Sequence, residues 1–457
     1  MRRLIPILLL LCLAIPANAA ISIAHAYNSR TSLTGLSATT AGDGFVWVSN
    51  KTGATSTFNI TGGDTFTLYA CLPTKASSEN ICVYYIPNET SGGHTSITCT
   101  TGCTGVNIYG GFEVSGQDTT NFIDKVLACT AITHAVACNR DGTDANIGLT
   151  LTPDFNSDAV YFQATCSLSA TTFTGTGATW TNTITSGNPG ASAVTSGFGS
   201  VNAKVDDGCG GENAVMIAVK GAGTTTQCSY DVGYFGYGAQ ATTGNPTVSA
   251  NFVHAGNTIV TSGFVVNGFT SVSVGNGTDT FTSAFRGNNS SDTGQVFMDY
   301  LLADTVAGAQ TLTATITGSH SAAQFGYEEL VTGPGCTPSF DTASSVGTGS
   351  SGTAVNTPSI TATANAYEFV YTSPGAGVHV GSINTPWSCY EFDTNTPSCQ
   401  YVNSISANGF IQLASGSSTA NAMTLSGAGG SWQAGIFSIK LTAPSTGGAK
   451  VHQAVIF

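Results

Sequence analysis

The chain has 457 residues, a formal net charge of −13 and only 8% charged residues, against roughly 25% in typical soluble domains. So few and mostly acidic charges argue against nucleic-acid binding, which needs a basic stripe. Hydrophobic residues make up 41% of the chain, too many for a disordered protein, so we expect a folded core.

Residues 1–19 have the pattern of a secretory signal peptide. Arg2 and Arg3 precede a short apolar run, and an A-x-A cleavage site occupies residues 17–19. The apolar run is too short to cross a bilayer, which takes about 20 residues, and no later segment approaches that length. We therefore expect a secreted, extracellular protein without a membrane span.

After the signal, short runs rich in Val, Ile, Thr, Phe and Tyr follow one another along the whole chain. Those quoted in chain order are "TFTLYA", "CVYYI", "TSITC", "GLTLT", "AVYFQAT", "TIVTSGFVV", "VFMDYLL", "TLTATIT", "YEFVYT" and "AGIFSIKL". Turn clusters such as "ITGGD" and "GNNSSDTG" separate them at roughly 8 to 12 residues, which is typical of an all-β sandwich or barrel. Residues 118–132 are the best helix candidate, and we predict a strand there as well.

Several stretches occur twice in the same order. "GDTFTLYACLPTKASSENICVYYIP" at 63–87 matches "TDTFTSAFRGNNSSDTGQVFMDYLL" at 278–302, and "GGENAVMIAVK" at 210–220 matches "GGSWQAGIFSIK" at 429–440. Glu113 and Glu329 fall at equivalent positions. A period this long excludes a solenoid and indicates complete domains. We predict two tandem homologous β-sandwich domains, 20–222 and 223–443, followed by a linker and tail strand at 444–457.

The cysteines agree with export and with this division. Of 13 cysteines, Cys12 lies in the signal, and a boundary near residue 223 leaves an even number on each side, as expected in an oxidising compartment. We predict the cysteine pairs by preferring bridges that close short hairpins. The predicted bridges are Cys71–Cys82, Cys99–Cys103, Cys129–Cys138, Cys166–Cys209, Cys228–Cys336 and Cys389–Cys399. The alternative to the Cys99–Cys103 bridge is a zinc site formed by these two cysteines and His94.

Residues 250–442 resemble a known type of module. "AGNTIVTSGFV", "GNGTDTFTSAF", "QFGYEELVTG", "NAYEFVYTS" and "GGSWQAGIFSIKL" together look like the Gly/Thr-rich jelly-roll modules of uncharacterised secreted bacterial and phage-associated proteins. The resemblance implies a concanavalin-like or jelly-roll β-sandwich used for surface binding or particle structure. It carries over no functional residue.

The richest candidate binding site is the loop "TPWSCYEFDTNTPSCQY" at 385–401. It combines flat aromatic faces with carboxylate and amide groups, the chemistry that carbohydrate recognition requires. The candidate ligand-binding residues are Trp387, Tyr390, Glu391, Asp393, Asn395 and Tyr401, with Trp180 as a counterpart in the first copy. The alternative is that Trp387 anchors the loop in the core while the acids face water.

Signs of metal binding or catalysis are sparse. Asp141 and Asp144 in "NRDGTDAN" suit either a calcium site or an Asx-rich turn, and no other cofactor is expected. Glu328 and Glu329 are adjacent on a predicted strand, so they point to opposite faces and only one could enter a cleft. No nucleophile or metal-protease signature occurs.

These observations favour a secreted surface-adhesion or carbohydrate-binding protein without catalytic activity. The alternative is a structural subunit of an extracellular layer, filament or phage particle, and a glycoside hydrolase ranks third. The expected partner is a glycan or cell-surface ligand. The tail "AKVHQAVIF" at 449–457 also suits self-association by strand pairing, against a strand folded back on its own domain or a disordered end.

Overall fold

The computed structural model of the chain describes residues 20–444 with internal gaps. The gaps are 31, 53–55, 74–78, 104–105, 131–146, 165–171, 184–188, 207–212, 224–225, 238–243, 251–253, 268, 289–293, 351, 375–379, 384–406, 416–417, 420–422 and 426–430. Every regular element in the described residues is a β-strand, which confirms the predicted all-β class. Among these residues no helix is long and apolar enough to cross a membrane.

The strands form four consecutive groups, which we name units 1 to 4. Unit 1 contains β1 (Ser22–Arg30), β2 (Gly44–Thr52), β3 (Thr57–Ile60), β4 (Thr67–Pro73), β5 (Glu79–Ile86), β6 (Ile97–Thr101) and β7 (Val106–Ser115). Unit 2 contains β8 (Ile123–Thr130), β9 (Ile147–Leu151), β10 (Asp158–Ala164), β11 (Thr172–Thr176), β12 (Thr181–Thr183), β13 (Gly190–Val194), β14 (Val201–Asp206) and β15 (Asn213–Lys220). Unit 3 contains β16 (Asp231–Tyr237), β17 (Thr247–Ala250), β18 (Thr258–Val266), β19 (Phe269–Gly275), β20 (Thr282–Arg286), β21 (Gln295–Leu301), β22 (Gln310–Gly318) and β23 (Ala322–Val331). Unit 4 contains β24 (Thr337–Ala343), β25 (Gly347–Gly349), β26 (Ala354–Val355), β27 (Ile360–Thr361), β28 (Ala364–Pro374), β29 (Val380–Ile383), β30 (Ala407–Ser415), β31 (Ser418–Thr419), β32 (Met423–Leu425) and β33 (Trp432–Thr442).

The same strand order recurs in every unit. The larger sheets of units 1 to 4 have the orders β1-β7-β2-β5-β4, β8-β15-β10-β13-β12, β16-β23-β18-β21-β20 and β24-β33-β28-β30. The accompanying smaller sheets are β3-β6, β9-β14-β11, β17-β22-β19 and β26-β32-β29. The first and last strands of each unit are antiparallel neighbours, which gives each unit a jelly-roll-like closure.

The repeat found in the sequence relates alternate units. The hairpin after Asp64 is β4–β5 of unit 1, and the hairpin after Asp279 is β20–β21 at the same place in unit 3. Likewise β15 and β33 are the closing strands of units 2 and 4. Each half of the chain therefore holds two sandwiches where the sequence predicted one.

The larger sheets of units 1 and 2 pack face to face. In β2, Phe45 and Trp47 contact the smaller sheet of unit 1, whereas Val46 and Val48 contact the larger sheet of unit 2. Successive side chains of a strand point to opposite faces, so a strand between two layers must be apolar without alternation. The run "GFVWV" meets this requirement, and units 1 and 2 form four layers: small, large, large, small.

Units 3 and 4 repeat this stacking. Ile259 of β18 packs with the smaller sheet of unit 3, whereas the next residue, Val260, packs with Phe369 and Phe437 of unit 4. The hydrophobic clusters each draw their residues from one side of residue 223, except that Val331 joins the cluster of unit 2. The division of the chain at residue 223 stays a prediction.

Equivalent hairpins in units 1 and 3 are joined by different chemistry. Cys71 and Cys82 are directly opposite in the β4–β5 hairpin and form a disulfide. At the same place in unit 3, Arg286 lies 5.2 Å from the ring centre of its partner Phe297. Its guanidinium also donates to the buried Asp299 at 2.6 Å. The second copy thus replaces a covalent bridge with a cation over an aromatic ring and an ion pair.

Three predicted disulfides lie within the described residues and are confirmed. They are Cys71–Cys82, Cys99–Cys103 and Cys228–Cys336, so Cys99 and Cys103 form a bridge and not a zinc site. The other predicted pairs, Cys129–Cys138, Cys166–Cys209 and Cys389–Cys399, each include a cysteine outside the described residues.

The domain division predicts the pattern of the remaining bridges. None of the three disulfides seen crosses residue 223, and we expect the same of the others. Peptide mapping of the non-reduced mature chain checks this. A bridge joining cysteines from both sides of residue 223 would contradict the division.

Gly110 in β7 allows the two larger sheets to approach each other. A Cβ at this position would overlap Tyr161 Oη and Gln163 Oε1 of β10, which are hydrogen-bonded to each other at 2.9 Å. We expect Gly110→Ala to lower the free energy of unfolding by about 2 kcal/mol through overpacking, measured by urea denaturation. Gly199→Ala is the control, because nothing lies within 4 Å of its Cβ position. Equal stability of both variants would contradict close packing at Gly110.

Candidate binding cleft

Most of the site residues predicted from the sequence lie outside the described residues. They are Trp387, Tyr390, Glu391, Asp393, Asn395, Tyr401, Asp141 and Asp144. Trp180 is described and half-buried. Its indole lies against Gly175 and Phe173, and its Nε1 donates to the Thr176 carbonyl at 3.3 Å. One side of the Trp180 ring is therefore occupied by its own sheet, and its role in binding stays a prediction.

A cleft of about 450 Å³ lies where units 1, 2 and 3 meet. This volume is in the range of small-ligand pockets. Aromatic and polar side chains from all three units line it together with a glycine-rich turn. Its principal lining residues are Tyr69, Tyr85, Asp124, His254, Asn257 and Gly333.

A β-bulge places Tyr69 in this cleft. Opposite β5, the register shifts between Leu68 and Ala70, which leaves Tyr69 as the extra residue of β4. Bulges redirect side chains and are frequent beside functional sites. Unit 3 has the same bulge, but the residue there is Ala284. The backbone feature is thus common to both copies, whereas the aromatic ring belongs to unit 1.

Tyr69 and His254 stack across the boundary between units 1 and 3. Their ring centres are 4.2 Å apart and their planes differ by 6°. Burial lowers the pKa of His254, so the imidazole is neutral at physiological pH, and its Nδ1 lies 3.0 Å from the Ala255 carbonyl. The result is an uncharged pair of flat rings at the cleft.

Glu329 holds the loop that carries His254. Its carboxylate accepts hydrogen bonds from the His254 amide at 3.0 Å and from Asn257 Nδ2 at 2.6 Å. In unit 1 the equivalent Glu113 accepts from the Thr40 amide at 2.7 Å. Both glutamates are buried. Glu113 on β7 binds the loop that precedes β2, and Glu329 on β23 binds the loop that precedes β18.

Asp124 is the acidic group of the cleft. Its Oδ2 accepts a hydrogen bond from the Asp154 amide at 3.0 Å. Burial raises the pKa of Asp124 to about 7, although the charge of Lys125 lowers it in part. Burial also raises the pKa of Asp158 well above its ordinary value, with the charge of Asp124 adding to the effect. A protonated Asp158 carboxyl can therefore donate to Asp124.

Next to the cleft, the ammonium group of Lys125 is buried among oxygen atoms. Its Nζ lies 2.9 Å from Asp154 Oδ1 and 3.0 Å from Asp231 Oδ2. It also donates to the Thr152 carbonyl at 2.8 Å and to the Ser229 carbonyl at 3.0 Å. Burial opposes the charged form of Lys125, but the surrounding carboxylates outweigh burial and raise its pKa.

This cluster does not resemble a metal site. Within the described residues, no group of three or more His, Cys, Asp or Glu side chains has the arrangement of metal ligands. The carboxylate of Asp154 is instead occupied by hydrogen-bond donors, including the Ser229 amide at 2.8 Å and the Gly333 amide at 2.6 Å.

The sequence reasoning did not identify the cleft, because its residues come from three units. Tyr69, Asp124 and His254 are far apart in the chain and belong to no local motif. One signal was nonetheless present: the aligned repeats place Tyr69 opposite Ala284. A position with a large aromatic residue in one copy and a small residue in the other is one whose role differs between the copies.

Comparison with known proteins adds no relative. No family model matches the chain, and neither a curated protein nor a solved structure matches it.

The buried acids predict how stability depends on pH. Burial raises the pKa of Asp124 to about 7 and that of Glu329 to about 8. The folded state therefore holds protons that the unfolded chain, with ordinary carboxyl pKa values near 4, has already released. We expect the free energy of unfolding to fall between about pH 4 and pH 8, by about 1.4 kcal/mol per pH unit for each of the two groups that remains protonated in the folded state.

Urea denaturation at several pH values across this interval measures the effect. Asp124→Asn removes one titrating group and should flatten the profile near pH 7. Stability that rises with pH over the same interval would contradict the assignment of protonated buried acids.

Proposed function

We propose that the chain is a secreted glycan-binding protein of the surface-adhesion type, and that the cleft between units 1, 2 and 3 binds a neutral sugar. The observation that carries the proposal is the Tyr69–His254 ring pair, at 4.2 Å, beside the polar groups Asn257 and Asp124. Sugars present C–H faces that pack on aromatic rings and hydroxyls that hydrogen-bond to amides and carboxyls.

The charge of the cleft favours an uncharged ligand. Among the described residues that line the cleft, the only basic side chain is His254, which is neutral because burial lowers its pKa. Lys125 is fully buried and already bound to Asp154 and Asp231. An anionic ligand would meet Asp124 without a compensating cation from the described lining residues, whereas a neutral polyol needs none.

Three of the acids near the cleft are engaged in holding the fold, and this supports binding without catalysis. Glu329 accepts from His254 and Asn257, and Asp154 and Asp231 pair with Lys125. A glycosidase needs two carboxyl groups that flank the scissile bond and are free to exchange protons with it. The proposed protein therefore recognises its glycan and releases it unchanged.

Secretion and the disulfides belong to the same proposal. Three bridges form within the described residues, and disulfides persist in oxidising compartments outside the cytosol. The signal pattern of residues 1–19 leads to the same location.

A glycan array probed with the mature chain tests the proposal. We expect binding to neutral glycans, and we expect Tyr69→Ala to weaken it about tenfold through loss of ring packing. Tyr69→Phe keeps the ring and should bind like the wild type. Phe340→Ala is the control, because it removes a ring that is 39% exposed and lies in unit 4. Thermal unfolding confirms that each variant folds.

A parallel variant separates the cleft from the loop at 385–401. If Trp387→Ala abolishes binding while Tyr69→Ala has no effect, the sugar site lies in the loop and the assignment to the cleft is wrong. If the wild type binds no glycan and forms polymers as its concentration rises, the chain is a structural subunit and the proposed function is wrong.

A further inference from the structure

The Lys125–Asp154 pair has features that an ordinary ion pair does not need. Both side chains are completely buried, and Lys125 Nζ lies 2.9 Å from Asp154 Oδ1. A buried ion pair has a desolvation cost that often exceeds its Coulombic gain. The same dry surroundings favour condensation of an amine with a carboxyl group, a reaction that releases water. Little solvent is present in such a site to hydrolyse the amide that forms.

Two donors are aimed at the other oxygen of Asp154. The Gly333 amide donates to Oδ2 at 2.6 Å and Thr332 Oγ1 donates to it at 2.9 Å. Two hydrogen bonds on one carboxyl oxygen are the arrangement that stabilises negative charge when a carbonyl carbon is attacked. They come from the turn after β23 of unit 3, so this arrangement exists only when units 2 and 3 are docked.

Position 333 requires glycine for this contact. A Cβ there would overlap Asp124 Oδ1 and lie 2.9 Å from Asp154 Cβ. The absence of a side chain lets the Gly333 amide reach Asp154 Oδ2. The close approach of the Gly333 amide to Asp154 therefore depends on glycine at this position.

A proton acceptor for the amine is also in place. Asp231 Oδ2 lies 3.0 Å from Lys125 Nζ and is itself held by the Thr152 amide at 2.9 Å. Burial raises the pKa of Asp231, which makes its carboxylate a better base. Ser229 Oγ contacts Asp154 Oδ1 and can pass a proton to that oxygen.

We propose that Lys125 and Asp154 condense to form an intramolecular isopeptide bond. The Nζ lone pair attacks the Asp154 side-chain carbon after Asp231 takes a proton from the ammonium group, and Gly333 and Thr332 stabilise the charge on Oδ2. The C–Oδ1 bond then breaks. The two protons lost from nitrogen leave with Oδ1 as water, so an ammonium and a carboxylate become one amide and one water with no oxidant or cofactor.

A second lysine–aspartate pair in the chain serves as an internal control. Lys220 Nζ lies 2.8 Å from Asp118 Oδ2, but these side chains are 13% and 19% exposed. Asp118 accepts backbone hydrogen bonds on Oδ1 from Thr120 and Asn121, and no second carboxylate is paired with this lysine among the described residues. The distance from Nζ to the carboxylate is similar in the two pairs. Only the Lys125–Asp154 pair is completely buried and has a second carboxylate beside the lysine.

Intact-mass spectrometry of the reduced, denatured mature chain tests the proposal directly. We expect a mass about 18 Da below the sequence value, the loss of one water. Tandem mass spectrometry of a protease digest should identify a branched peptide joining residues 125 and 154, with residues 118 and 220 unlinked. An unchanged mass, or a loss of water located elsewhere, overturns the proposal.

Variants separate the reaction from folding. Lys125→Arg keeps the positive charge but should abolish the mass loss. Asp231→Asn should leave a larger fraction of freshly purified chain uncrosslinked, because it removes the base while keeping the size of the side chain. Full cross-linking in Asp231→Asn would exclude Asp231 as the base. The wild-type mass decides the proposal even if both variants fail to fold, and its outcome does not depend on glycan binding.

Discussion

The buried ammonium group of Lys125 is the constraint that joins the two halves of this molecule. It lies on β8 of unit 2, and its acceptors include Asp231 and Ser229 at the start of unit 3. A buried charge that loses one partner destabilises a protein by about 3 to 5 kcal/mol. The chain segments from both sides of residue 223 must therefore remain in place together, and Asp154 extends the connection to the turn at Gly333.

The cleft depends on this junction. Gly333 and Asp124 contribute both to the surroundings of Asp154 and to the lining of the cleft. His254 reaches Tyr69 only because unit 3 is held against units 1 and 2. A binding surface that spans several units gains rigidity from the contacts between them, and preorganisation of this kind reduces the entropy lost on binding.

The equivalent hairpins of units 1 and 3 show how a site can differ between units while the fold stays the same. The bulge in β4 and its equivalent in β20 preserve the backbone, while the side chain changes from Tyr69 to Ala284. The hairpin connection changes in the same manner, from the Cys71–Cys82 bridge to the pairing of Arg286 with Asp299. Tyr69 and Ala284 are only partly buried and pack against the core clusters formed by the larger sheets.

The sequence by itself determined the all-β class and predicted three disulfides that the structure confirms. β-strand patterns are local, because short runs rich in β-branched and aromatic residues between turn clusters are typical of strands. Cys71 and Cys82 flank a single hairpin, so their pairing is also a local matter. The repeat aligned Glu113 with Glu329, and in the structure the two side chains hold equivalent loops.

Only the tertiary structure decided that each predicted domain contains two stacked sandwiches, and where the units meet. Patterns of apolar residues show that a face is buried but do not identify the sheet that covers it. The cleft and the surroundings of Lys125 combine Tyr69, Asp124, Asp231, His254 and Gly333, which are separated by long stretches of chain. Their proximity results from packing between units, and packing of this kind leaves no periodicity in the sequence.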